Sequence, residues 1–203
     1  NSVAYREKPE IGTFMEEWLS LYKSKSGERG IFNRDAAQKQ IVRANEHRQS
    51  MGEDYRLRES DHEFGTNPCS EIILRDKEFC NLTEIVVRGD DTKESLERKV
   101  RLATLLGTWQ STLTNFKYLS SEWERNCEDE RLLGVSMTGI MDCKLTNGKS
   151  KGLEELLTHL KTTAIKENKR AAKDIGINES VAITCVKPSG TVSQLVDAAS
   201  GIH

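Results

Sequence analysis

The stretch Asn67-Pro68-Cys69-Ser70-Glu71, with a second cysteine at Cys80, carries the residues best suited to chemistry. Pro68 fixes its own φ and keeps Asn67 out of helical backbone, which builds a rigid bend presenting Cys69. In an extended segment, side chains two apart share a side, so Asn67, Cys69 and Glu71 are expected to project together. A thiol beside a carboxylate pairs a sulfur centre with a group able to move protons, and the asparagine amide can hold a substrate hydroxyl. Cys80 lies eleven residues beyond Cys69 and comes within disulfide range of another cysteine if the intervening chain folds back. Spacing alone leaves a second reading open: two buried structural cysteines with no chemistry.

A second stretch, Pro188-Ser189-Gly190-Thr191-Val192-Ser193, sits between an apolar run and a short helix expected from about Thr191. Unpaired N–H groups at a helix start attract phosphate, Gly190 admits close backbone approach, and Ser189, Thr191 and Ser193 offer hydroxyls. A plain N-capped turn is the alternative, since the Gly-Lys-Ser/Thr ending of a P-loop is missing. Lys187 is expected to be solvated.

The elements that must position these residues are legible from periodicity. Phe14, Trp18, Leu21 and Tyr22 predict a helix from Pro9 to about Lys25, and Asn33 predicts the start of another that runs towards Glu46. Residues 48–66 read as a polar loop, and Phe79 to Val87 as a strand closed by Gly89 and Asp90. Leu96, Val100, Ala103, Leu106, Leu113 and Phe116 predict a helix from about Thr92 to Tyr118. Arg131 to Asp142 reads as a buried strand with a turn or as a packed loop. Leu153 to Ile175 predicts a helix stopped by Gly176, and Ser180 to Val186 a wholly apolar buried strand. This alternation predicts an α/β fold with a mainly parallel sheet.

Among 203 residues, 31% are charged and the formal net charge is −2, which gives no electrostatic case for nucleic acid or an anionic membrane. No apolar run approaches the roughly 20 residues needed to span a bilayer. The hydrophobic fraction, 36%, is low for a self-sufficient core. With Asn1 at one end and His203 at the other, the chain is expected to be an internal piece of a longer protein. The five cysteines are odd in number and widely spaced, and none stands at zinc-site spacing from a histidine, so no metal site is expected. Free thiols in a reducing cytoplasm follow. Cys127, in an acidic loop, Cys143, near a strand end, and Cys185, in the apolar strand, read as structural.

Asn-Pro-Cys-x-Glu followed by Phe-Cys-Asn-Leu resembles the active-site signature of ribonucleotide reductase catalytic subunits. The resemblance implies that Cys69 carries a thiyl radical that abstracts the ribose 3′-hydrogen. It implies Glu71 as general base on the 3′-hydroxyl, Asn67 as a ribose ligand, and Cys80 as one of two thiols that reduce the 2′-carbon and end as a disulfide. Pro188 to Ser193 resembles the family's phosphate-holding segment. The eleven-residue cysteine spacing resembles the adenosylcobalamin-dependent class II enzymes, the alternatives being the oxygen-dependent class with its diiron partner, or a non-catalytic split-gene piece acting only in assembly.

Further segments match in order: Asn1 to Val3, like the tail of an effector-sensing loop; Gly27 to Arg34, with Arg29 where the family usually has proline; Leu133 to Ile140, which lines the substrate cavity; and Ser200 to His203. The implied fold is roughly the second half of a ten-stranded α/β barrel, residues 1–203 forming one partial domain with Cys69 on a central finger loop. The implied substrate is a ribonucleoside tri- or diphosphate, with a deoxynucleoside triphosphate effector and a thioredoxin-like reductant. The partner of Cys80 and a C-terminal cysteine pair are missing from this chain, which is therefore expected to be inactive alone.

Overall fold

The computed structural model describes residues 8–26, 30–52 and 54–201. The expectations for Asn1 to Val3, for Gly27 to Arg29 and for Ile202 and His203 lie outside the described residues. The chain divides into two compact units, Asn1–Asn33 and Arg34–His203.

In the first unit, helix α1 (Ile11–Ser24) forms where periodicity places it. The Glu10 carboxylate accepts from the Thr13 amide to cap its start, and Lys25, at φ 48°, ends it in the left-handed region. The rings of Phe14 and Trp18 stack at 6.3 Å on one face.

The second unit begins with α2 (Arg34–Ser50), one turn longer than expected. A hairpin of β1 (Gly65–Thr66) and β2 (Ile73–Leu74) follows, then β3 (Asn81–Val86), α3 (Lys93–Gln110), α4 (Ser121–Glu130) and β4 (Leu133–Thr138). A 3-10 turn (Ile140–Asp142), α5 (Leu153–Ile175) and the four-residue α6 (Val192–Leu195) complete it.

Strands β3 and β4 pair in parallel, from Asn81↔Leu133 to Val86↔Thr138. A parallel pair needs a crossover, which α3 and α4 supply. Leu96, Val100 and Ala103 of α3 and Leu156, Leu160, Ala164 and Ile165 of α5 bury against Ile85, Leu133 and Val135 of the sheet. Each such side chain contributes ~1.5–3 kcal/mol of hydrophobic free energy. The architecture is α/β.

Three expectations change. Helix α3 stops at Gln110 rather than Tyr118, leaving Leu113 74% exposed. Ser111 and Thr112 turn their hydroxyls back onto the carbonyls of Thr108 and Trp109, a local alternative to further helix. Cys127 lies in helix α4 rather than an acidic loop; apart from Trp123 and Cys127 the helix is polar, and one of its two buried residues is the charged Glu130, so periodicity barely marks it. The strand expected over Ser180 to Val186 shrinks to one parallel bridge, Val135↔Thr184. Ser180 is instead held by Asn168 of α5, which accepts from its amide at 2.9 Å, while the Val181 amide donates to the Glu130 carbonyl.

Candidate functional site

The thiol-bearing stretch is the tip of the β1–β2 hairpin. Its register, Gly65↔Leu74 and Thr66↔Ile73, leaves 67–72 as the connection. The Ser70 amide donates to the Asn67 carbonyl at 3.0 Å, and Ser70 itself has φ 62°. The chain therefore turns at Cys69 instead of running extended, and the expected common side of Asn67, Cys69 and Glu71 is lost. Cys69 is exposed at the tip. Asn67 uses its Oδ1 to accept from the Ile72 amide at 3.0 Å, closing the hairpin as a backbone group would. Its amide NH2 remains as the donor.

Glu71 swings the other way. Its side chain is 5% exposed, and neither carboxylate oxygen receives a hydrogen bond. A buried carboxylate left without donors is costly, so this position is arranged to receive a hydroxyl or another donor. The nearest cation is Lys187, its Nζ 3.9 Å from Glu71 Oε1. Lys187 is thus a member of the site rather than the solvated lysine expected, because the turn at Pro188 folds it back over the hairpin.

Cys80 immediately precedes β3 and is half-buried. Burial pushes its thiol pKa up, the Glu71 charge adds to this, and Lys187 opposes it. Cys185, expected to be structural, is also half-buried and stands on the same face. Burial, then the charges of Glu71 and Cys80, push its thiol up to about 12. Gly134 makes this convergence possible. A Cβ there would lie 2.4 Å from Leu82 Cδ2, 3.3 Å from Cys185 Sγ and 3.4 Å from Ile72 Cδ1. The sequence offered one hint of Cys185, its place two residues before the Lys187-Pro188 turn. Glu71, Ile72, Val135, Ser136, Met137 and Cys185 border a cavity of about 490 Å³.

The turn from Pro188 to Ser193 lies beside this site. Ser189 is buried and donates to Glu84 Oε1 at 2.6 Å, and Ser193 Oγ bonds the Gly190 carbonyl at 3.2 Å. Gly190 has φ 57°, and Gly190, Thr191 and Val192 are the exposed members. Gly201 packs on the turn: a Cβ would meet the Lys187 carbonyl at 2.4 Å and Ser189 Oγ at 2.7 Å. The structure thus brings Glu71, Cys80, Cys185 and Lys187 together, sets the turn alongside, and holds Cys69 at the hairpin tip.

Just ahead of Cys80, Glu78 is buried beside Glu130, and burial first, then that neighbour's charge, raise its pKa to about 8. Its value is 4.5 when solvated. The folded state therefore keeps a proton that the unfolded chain releases, and the linked stability is complete below pH 4.5 and lost as pH rises through about 8. The expected result is a urea midpoint that falls between pH 6.5 and 8.5 in the native sequence and changes less in Glu78→Gln. Parallel curves for the two proteins would count against the assignment.

No family model matches the chain. Curated relatives do. The adenosylcobalamin-dependent ribonucleoside-triphosphate reductase of Lactobacillus acidophilus is 31% identical over 165 residues, covering 68% of this chain and 22% of that protein. The enzyme of the same name from Lactobacillus helveticus is 28% identical and matches 88% of this chain. The one from Euglena gracilis is 32% identical over 146 residues. Among solved structures, a B12-dependent class II ribonucleotide reductase superposes with a TM-score of 0.56 at 29% identity, over 68% of this chain and 22% of that one. The chain thus spans about a fifth of the length of the relatives it matches. With an order of motifs, a backbone and curated relatives that agree, the chain belongs to the ribonucleotide reductase family and is most like its adenosylcobalamin-dependent, class II members.

Proposed function

We propose that this chain provides the sugar-reducing part of a class II ribonucleotide reductase, converting ribonucleotides to 2′-deoxyribonucleotides by thiyl-radical chemistry in the cytoplasm. The observation that carries the reading is Glu71: a buried carboxylate with no donor among the described residues, bordering a cavity with Cys185 and close enough to Cys80 for its charge to act on that thiol. That is the equipment needed to take a proton from a sugar hydroxyl while sulfur supplies electrons. In the parent enzyme this chain forms roughly half of a ten-stranded α/β barrel around the hairpin, which shields a sulfur radical from solvent and oxidants.

Cys69, as the thiyl radical, abstracts the 3′-hydrogen. Glu71 takes the proton of the 3′-hydroxyl, and the free amide NH2 of Asn67 holds the ribose. Water leaves from the 2′-carbon, and Cys80 with a partner thiol supplies two electrons and two protons. Glu71 returns its proton to the 3′-oxygen and Cys69 returns the hydrogen to the 3′-carbon, so the products are the deoxynucleotide, water and a disulfide, with the Cys69 radical restored. The segment from Pro188 to Ser193 steadies the substrate's phosphates through its exposed backbone at Gly190 and Thr191. A thioredoxin-like protein would restore the thiols, and a deoxynucleoside triphosphate would act as effector. Cys69, a free thiol at the hairpin tip, is the residue on which a radical-supplying cofactor would act. Adenosylcobalamin, when bound, supplies homolytic chemistry, a source of an unpaired electron.

The test is the intact enzyme given ribonucleoside triphosphate, adenosylcobalamin and a dithiol. Deoxynucleotide formation with no diiron subunit is expected. Activity that needs a diiron partner and ignores cobalamin would move the chain to the oxygen-dependent class, and no reduction under either condition would overturn the reading.

A further inference from the structure

The β1 and β2 strands have two residues each, and a hairpin so short cannot hold its own geometry in water. Something else must fix where Cys69, Glu71 and the following Cys80 stand. Below the hairpin lies a buried set of charges that the chemistry proposed above does not use. Glu130, the last residue of α4, has a fully buried side chain. Its Oε1 accepts from Arg58 Nε at 3.0 Å and pairs with Arg75 Nη2 at 2.9 Å, and its Oε2 accepts from Arg58 Nη2 at 2.5 Å.

Both arginines grip the hairpin. Arg58 Nη2 also donates to the carbonyl of Ile73 in β2 at 3.0 Å, and its guanidinium lies 5.1 Å from the centre of the Phe64 ring, just ahead of β1. Arg75 directly follows β2; its amide donates to Glu78 Oε2 at 2.8 Å, and its Nη1 reaches Asp129 at 2.8 Å. The far side is anchored too. Arg58 exchanges two backbone hydrogen bonds with the Asn45 side chain of α2, at 2.8 and 3.0 Å. From Glu130, the chain passes straight into β4.

We propose that Glu130 is a positioning residue for the thiol hairpin, acting with Arg58 and Arg75 as a buried ionic clamp that joins both limbs of the hairpin to the end of α4 and so to the sheet. A fork of two guanidiniums on one carboxylate is directional as well as strong. Burying three charges adds little net stability over an apolar packing of the same volume, whereas removing one member leaves the others exposed to their full desolvation cost. Such a cluster specifies a geometry, here that of the segment from Asn67 to Cys80. Its meaning for catalysis rests on the reductase reading; its existence as a clamp does not.

The cysteines provide the test. Cys143 is 1% exposed in the core, Cys69 is exposed at the tip, and Cys127, whose sulfur accepts from the Phe79 amide at 3.3 Å, reports on the chain just before Cys80. Alkylation of each of these thiols is followed by mass spectrometry in the intact enzyme and in its Glu130→Gln variant, with far-UV circular dichroism alongside. Expected in Glu130→Gln is labelling of Cys80 and Cys127 faster by at least about tenfold, equal to ~1.4 kcal/mol of local opening. Cys69 is unchanged, Cys143 stays protected and the dichroism stays native. Asp129→Asn, which leaves the Glu130 fork intact, gives a smaller change.

If Glu130→Gln fails to fold, Arg58→Lys is measured instead, since a lysine cannot supply the two-pronged contact that Nε and Nη2 make to the Glu130 carboxylate, and the same selective pattern is required. Labelling of Cys143 in step with Cys80 would show a merely structural role, and unchanged Cys80 labelling would show no clamp; either overturns the proposal. The readout needs no nucleotide or turnover, so the clamp and the reductase reading fail separately.

Discussion

Cys69→Ala in the intact reductase is expected to abolish exchange of the ribose 3′-hydrogen, while Cys80→Ser keeps that exchange and stops deoxynucleotide formation. The two thiols have different jobs in the proposed reaction, and their surroundings differ accordingly. Cys69 stands on a tight turn at the tip of the hairpin. Cys80 is half-buried, and burial first, then the Glu71 charge, push its thiol pKa up, as suits a thiol that must give up hydrogen to a sugar carbon. Loss of the group that starts the chemistry costs on the order of 10⁴-fold or more in enzymes with a covalently acting side chain. Exchange is read from a 3′-deuterated or tritiated ribonucleoside triphosphate, and reduction from the deoxynucleotide formed. Exchange surviving in Cys69→Ala would remove the radical role from that sulfur. Full reduction by Cys80→Ser would remove Cys80 from the electron-donating pair.

The largest effect on stability is expected from Gly139→Ala. Gly139 ends β4 at φ 77°, and its amide donates to the Ala199 carbonyl at 2.6 Å. A Cβ there would stand 2.2 Å from the carbonyl oxygen of Val87 and 3.2 Å from its carbon. That carbonyl cannot simply move aside, because the Val87 amide is bonded to the Thr138 carbonyl at 2.9 Å. Left-handed strain of ~1–3 kcal/mol adds to overpacking of ~1–3 kcal/mol, so a loss of about 2–6 kcal/mol follows. In a chain of this size each kcal/mol lowers Tm by about 2–4 °C. Gly148→Ala separates the two contributions. It shares the left-handed backbone, at φ 82°, but has nothing within 4 Å of the new Cβ. Thermal unfolding should show a loss for Gly148→Ala of only ~1–3 kcal/mol. Equal losses in the two variants would show that the contact with Val87 carries no weight.

Sequence by itself determined most of the local elements and singled out candidate reacting groups. The period of Leu96, Val100 and Ala103 placed α3 on the sheet, and the Thr92 capping box started it. Gly176, at φ 73°, ended α5 where glycine at that position predicts. Cys69, Glu71 and Cys80 stood out as candidates by residue type and spacing, and the resemblance to the reductase signature is what gave them expected roles.

What only the tertiary structure decided is which side chains meet across long separations. The turn at Ser70 sent Cys69 outward and Glu71 inward, which depends on closure of the hairpin through Asn67. Lys187 and Cys185 joined Glu71 from more than a hundred residues away, brought there by parallel pairing along β4. Arg58 and Arg75 became partners of Glu130 in the same way, although Arg58 lies in a stretch that reads as polar loop and Glu130 in a helix with almost no apolar signature. Periodicity records which face of an element is apolar. It carries no record of which buried charge finds which, because that choice is made by desolvation and by the geometry of elements far apart in the chain.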